Sequence, residues 1–246
     1  MHQDKTDTLA LLREKLCRME PAQPLSADKL PTGFADIDAH LGGGLARGCV
    51  HELFSAGHDR AQAGRPAAFA AHVLAQTTGP VIWVSEEYPD LSAPGIRQSG
   101  LNPGRLLCVT TRQGGLENLC EDVLNERGVC ALVADIRAPL SPARLRRLVL
   151  AAGRSHVTGF LLHRAAAFAA EPPASASMTR WRIGGGSALG RADFAAWSPV
   201  VGPERWSVDL LWHRDGPAGP WGITPAREGG PYRQPMPWAG EQRARA

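Results

Sequence analysis

Five short apolar segments govern what this chain can fold into: Val50–Phe54, Pro80–Val84, Leu106–Thr110, Cys130–Ala134 and Val157–Leu162. Each is too short for a buried helix and is bounded by turn-forming residues, so each reads as a strand. Between several of them the apolar spacing turns helical. Pro66 to Thr77 reads as a helix, with Pro66 tolerated at its first position because the amide there would be unpaired in any case. Leu116, Leu119, Cys120, Val123 and Leu124 line one face of a second helix, stopped at Gly128, and a third runs from about Pro142 to Arg154 with Ser141 placed as its cap. Strands apolar throughout need cover on both sides, and parallel neighbours need crossovers of this length. The expected fold is therefore α/β, a mainly parallel sheet with helices on both faces. Further on, Met178–Ile183 and Arg205–His213 alternate apolar and polar residues between Gly- and Pro-containing turns, which predicts antiparallel strands at the C-terminal edge.

A chain of 246 residues that is 43% hydrophobic and 21% charged can bury one sizeable core with terminal segments to spare. The expected organisation is an N-terminal amphipathic helix in residues 1–24, a core over 25–224 and a flexible tail over 225–246. In the first of these, Leu9, Leu12, Leu16 and Met19 recur at three- and four-residue steps before Pro21 and Pro24 end the pattern. That stripe reads either as packing on the chain's own core or as an arm for a partner. The tail is rich in Pro, Gly and Arg without periodicity, yet carries Tyr232 and Trp238, aromatic residues suited to a docking peptide. A formal charge of +3 is too mild to establish nucleic-acid binding. Five cysteines without a C-x-x-C pair suit reduced, packed thiols and a cytoplasmic setting, and nothing approaches the ~18 apolar residues of a membrane span.

The junction between the first strand and the first long helix decides the chemistry. A phosphate-binding loop needs Gly, four residues, then Gly-Lys-Ser/Thr, so that backbone amides and the lysine cradle phosphates while the hydroxyl holds magnesium. Here six residues separate Gly57 from Gly64, Arg65 stands in the lysine position and Pro66 in the hydroxyl position. Asp135 falls where a Walker-type carboxylate would meet magnesium, and Glu86 and Glu87 where a carboxylate would activate water. Without a cradle they have nothing to act on. The expectation is a degenerate loop with no catalytic residues, no cofactor and no metal, Asp135 bonding a loop amide and one of the two glutamates simply solvated. Arg144, Arg146, Arg147 and Arg154 punctuate the helix whose apolar side carries Leu145, Leu148, Val149 and Ala152. They read as a solvated face or as a basic patch for phosphate or acidic groups. The tryptophans of the last third, Trp181, Trp206 and Trp212 among them, are expected mostly as core or cross-strand partners.

From Leu30 to about Thr224 the sequence resembles the RecA family. Thr32-Gly33, Asp36-Ile-Asp38, Leu41-Gly-Gly-Gly-Leu45 and Gly48 carry the most specific part, Val133-Ala-Asp135 the Walker B position. The degenerate loop, the strand Thr179-Arg-Trp-Arg182 and the Trp-rich closing hairpin most resemble the ImuA family, which is related to the SulA division inhibitors. That resemblance implies a RecA-like core and a non-catalytic accessory role in SOS mutagenesis and translesion synthesis, with an ImuB-like protein, RecA and an error-prone DNA polymerase assembly as partners. Two alternatives stand beside it, from the same branch a SulA-like inhibitor of FtsZ, and from the enzyme class a DNA-stimulated ATPase with an atypical loop. His163-Arg164 replaces the Asn-Gln pair of RecA, and the second DNA-binding loop shrinks to a Pro/Ala/Ser linker over Ala169–Ser177. RecA's DNA contacts therefore do not carry over, and direct contact with DNA is left open.

Overall fold

The structure is a computed structural model, and it describes residues 29–56, 64–87, 89, 91–112, 114–163, 175–186 and 205–223. The N-terminal stripe Leu9, Leu12, Leu16 and Met19, the loop glycine Gly57, the tail with Tyr232 and Trp238, and Trp197 lie outside those residues.

The sheet's central strands are the apolar segments. They are β3 (Val50–Ser55), β4 (Val81–Ser85), β5 (Leu106–Thr110), β6 (Ala131–Ile136) and β7 (Thr158–His163), preceded by a two-stranded ribbon of β1 (Lys29–Leu30) and β2 (Leu45–Ala46). At the ribbon's corner Gly44 has φ +125°, and a Cβ there would stand 2.2 Å from the Leu30 carbonyl oxygen, so only glycine closes the turn. Helices α1 (Ala35–His40), α2 (Arg65–Ala75) and α3 (Ala93–Gln98) cover one face, and α4 (Leu116–Leu124) and α5 (Pro142–Ser155) the other. Alternation along each strand divides the core into two layers. Val81, Trp83, Ala131, Val133, Phe160 and Leu162 go with the first three helices, while Ile82, Val84, Leu132, Ala134 and Leu161 go with α4 and α5.

β8 (Thr179–Gly186), β9 (Arg205–His213) and β10 (Gly219–Ile223) complete an eight-stranded sheet in the order β10-β9-β8-β3-β7-β6-β4-β5. β3 to β8 run parallel, β9 pairs antiparallel with β8 and β10 antiparallel with β9, which matches a RecA-like core. One detail differs from the sequence reading. The segment expected as an antiparallel edge strand, β8, is parallel to β3 and only its outer side pairs antiparallel. β10, despite its Pro and Gly, sits at the sheet edge, where a missing amide costs least. Trp212 does not join the core. A register shift between Arg180 and Trp181 breaks the alternation that puts Trp206, Val208 and Leu210 inside, and leaves Trp212 49% exposed.

Helix ends follow their caps. The Ser141 hydroxyl accepts from the Arg144 amide at the start of α5, as its position implied. α4 ends at Asn125 rather than at Gly128, and Pro66 occupies the second position of α2 rather than the first.

Candidate functional site at the carboxyl rim of the sheet

In parallel sheets the carboxyl ends of the strands gather the loops that hold ligands. Here that rim consists of Ser55 on β3, Ser85-Glu86-Glu87 at the end of β4, Thr110 on β5, Asp135-Ile136-Arg137 at the end of β6, His163 on β7 and Ile183–Gly186 on β8. Each group that would serve a nucleotide has a partner inside the protein. β6 extends to Ile136, so Asp135 lies within the strand, opposite Leu162 and 4% exposed. Its Oδ2 accepts from the buried indole of Trp83 at 3.3 Å. Glu86 accepts from the Gly114 amide at 2.8 Å, and Glu87, its side chain 66% exposed, pairs with Arg137 at 2.6 Å at the surface.

The start of α2 has changed in the same direction. Gly64 is its N-cap, Arg65 its first residue, and Pro66 removes an amide from the turn that would face a phosphate. The Arg65 guanidinium lies across Gly185 of β8: a Cβ at that glycine would meet Nη2 at 2.8 Å and Cζ at 3.0 Å. The Ala56 amide donates to the Ile183 carbonyl at 2.9 Å, which carries the β3–β8 pairing past the strand end. Among the described residues no group of three or more His, Cys, Asp or Glu is placed to hold a metal ion.

On the α4/α5 face, beside the core layer, sits a buried polar cluster. Glu52 is 3% exposed in the middle of β3, and Arg180 is its register partner on β8, donating Nε–H to Oε2 at 2.7 Å. The Ser175 hydroxyl donates to the other carboxylate oxygen at 3.0 Å, and His163 Nε2 stands 3.9 Å away. The His163 ring stacks on Phe54 at 4.4 Å, and the Arg180 guanidinium lies 5.3 Å from the Phe54 centroid. Burial pushes the Glu52 carboxyl up, against the pull of Arg180; burial, then the Arg180 charge, push His163 down to about 4. The sequence signal was a glutamate inside the otherwise apolar Val-His-Glu-Leu-Phe, a residue type that enters a parallel strand only with a partner.

His51 belongs to the opposite face. Its Nδ1 lies 2.6 Å from the Thr179 hydroxyl and Nε2 2.9 Å from the Ala46 carbonyl, while the Trp181 indole donates to the same Thr179 oxygen at 2.7 Å. One tautomer satisfies all of them: Nε2–H donates to Ala46, and the threonine hydroxyl, already accepting from Trp181, donates to Nδ1. Burial pushes this imidazole down to about 4.

The four arginines of α5 differ in their partners. Arg144 and Arg147 form ion pairs with Glu117 and Glu121 of α4, and Arg154 donates to the Asn125 side chain at 3.3 Å. Arg146 has no ion-pair partner among the described residues. Exposed Leu150 stands between Arg146 and Arg154, one turn from each, and breaks the amphipathic pattern of the helix.

Strand order, parallel core and antiparallel closing strands define a RecA-like α/β protein, with a rim whose acidic and basic groups are engaged internally. No protein-family profile matches the chain. Two relatives do, both named Protein ImuA, from Caulobacter vibrioides strains NA1000/CB15N and ATCC 19089/CIP 103742/CB 15; each is 36% identical over 224 residues, covering 86% of this chain and 89% of the relative. The chain belongs to the ImuA family. That membership supports a RecA-like accessory role in SOS mutagenesis at the level of the family. Among the described residues no helix is long and apolar enough to cross a membrane.

Proposed function

We propose that this protein is a non-hydrolytic RecA-like accessory protein of the bacterial SOS mutasome, which brings an ImuB-like protein, and RecA, to error-prone translesion synthesis. Family membership supplies the process. The observation that supports a role without hydrolysis is the rim, where Asp135 is held by Trp83, Glu86 by Gly114, Glu87 by Arg137, and Arg65 lies against Gly185. Phosphoryl transfer rests on charge stabilisation by a lysine, a magnesium ion and aligned amides. With Arg65 in the position of the lysine and Pro66 in that of the hydroxyl, the lysine is absent and magnesium loses a protein ligand. On this reading the RecA scaffold serves as a rigid body for partners, with the two chain ends, residues 1–24 and 225–246, as attachments.

The test is phosphate release from magnesium-ATP by the purified full chain, with and without single-stranded DNA. No turnover above a buffer control is expected in either case. DNA-stimulated turnover that disappears in Arg65→Ala would establish the ATPase alternative. A pull-down against FtsZ beside the ImuB-like protein separates the division-inhibitor alternative, which requires FtsZ to be retained and the ImuB-like protein not.

A further inference from the structure

We infer that the outer face of α5 is a docking surface for an acidic protein segment that inserts an apolar side chain beside Leu150. Three observations carry the inference. Leu150 is 57% exposed, one of two large hydrophobic side chains so exposed among the described residues, and it projects from the side of α5 opposite the buried Leu145, Leu148 and Ala152. Arg146 and Arg154 stand four residues before and four after it, which on a helix of 3.6 residues per turn places all three along one line. Finally, a Cβ at Gly153 would meet nothing within 4 Å, so the surface next to Leu150 is open to a close approach.

Charge identifies the occupant. The acidic residues of α4 neutralise Arg144 and Arg147, the two arginines turned toward that helix. Arg154 meets a neutral amide, and Arg146 has no ion pair among the described residues. Among the described residues, then, two cations without a carboxylate partner stand on either side of an exposed leucine. A phosphate backbone would match the cations and leave Leu150 facing a charged, hydrated chain. An acidic amphipathic segment matches both, covering the leucine while its carboxylates meet the arginines. The contact lies on the core, apart from the two chain ends. The proposal rests on the accessory-protein reading, and it deepens that reading by placing one partner contact.

The experiment uses the full chain and its Leu150→Asp and Arg146→Glu variants, with Arg97→Glu on the exposed side of α3 as a charge control. Each is titrated by biolayer interferometry with the purified ImuB-like protein, with RecA, and with a single-stranded oligonucleotide, at two salt concentrations. Thermal melting is followed alongside, and it should not change because the altered side chains are exposed. The expected result is that Leu150→Asp and Arg146→Glu each weaken binding to one of the two proteins at least tenfold, that Arg146→Glu also lowers its salt dependence, and that Arg97→Glu binds as the parent does. Full protein binding by both α5 variants overturns the proposal and leaves the accessory role standing. Loss of oligonucleotide binding alone overturns it in favour of a phosphate-reading surface. If the parent chain binds neither protein, the accessory reading fails and this inference with it.

Discussion

Replacing Arg180 with methionine should unfold this protein at a much lower temperature, in a way that depends on pH. The guanidinium and the Glu52 carboxylate are 7% and 4% exposed as side chains and 2.7 Å apart. Removing the cation leaves a buried carboxylate whose hydrogen-bond partners Ser175 and Ser177 are neutral hydroxyls, a change that costs roughly 3–5 kcal/mol. Loss of the contact with Phe54 adds up to about 1 kcal/mol. For a chain of this size each kcal/mol moves the midpoint by roughly 2–4 °C, so a fall of about 6–24 °C is expected. The sign of the pH effect follows from burial, which already raises the Glu52 pKa while Arg180 lowers it. Without Arg180 the folded-state pKa rises further. A carboxyl with a raised folded pKa loses stability as pH increases from its unfolded value through its folded one. The deficit of Arg180→Met relative to the parent should therefore be largest near pH 8 and shrink toward pH 5.5. Replacing both partners, Glu52→Leu with Arg180→Met, should recover most of the loss, because an apolar pair leaves no charge stranded. Thermal and urea melts across that pH range measure all of this. A midpoint change under 3 °C, or a deficit equal at both pH values, would refute the reasoning.

Two other predictions concern different parts of the chain. His51 is held neutral with its pKa down at about 4, so below its unfolded value of 6.5 the unfolded state takes up a proton that the folded state refuses. Relative to a His51→Gln variant, the parent should lose up to roughly 1.4 kcal/mol per pH unit as pH falls from 6.5 toward 4 in urea melts, and a pH-independent difference would contradict that. At the chain ends, Leu12→Asp with Leu16→Asp should weaken one partner and truncation after Thr224 another, with cooperative melting of the core retained. Full binding of the ImuB-like protein and RecA by both variants would leave the core surface as the whole interface.

What the sequence made legible was periodicity. Apolar runs such as Ala131–Ala134 have nowhere to go except the middle of a covered sheet, so the central strands and the two helical layers could be read directly. Ser141 likewise announced the start of α5. Harder to read was anything set by an interaction between distant strands. The parallel pairing of β8 depends on Arg180 lying opposite Glu52, a contact separated by more than a hundred residues, and the shift that turns Trp212 outward leaves no local mark. β10 was hidden by its own composition, since Pro220 is acceptable only at an edge that the sequence does not identify. At the rim the missing lysine and hydroxyl were plain, whereas the partners of Asp135, Glu86 and Glu87 come from neighbouring strands and loops. The arginines of α5 could be counted but not sorted, because Glu117 and Glu121, which neutralise two of them, lie on another helix.

The central claim is that the RecA scaffold has become a nucleotide-independent connector. Its most direct test is size-exclusion chromatography of the full chain mixed with the purified ImuB-like protein, in buffer free of nucleotide and magnesium and again with both present. The account predicts a co-eluting complex of the same size and yield under the two conditions. Failure to co-elute, or a complex that forms only with magnesium-ATP, would contradict it.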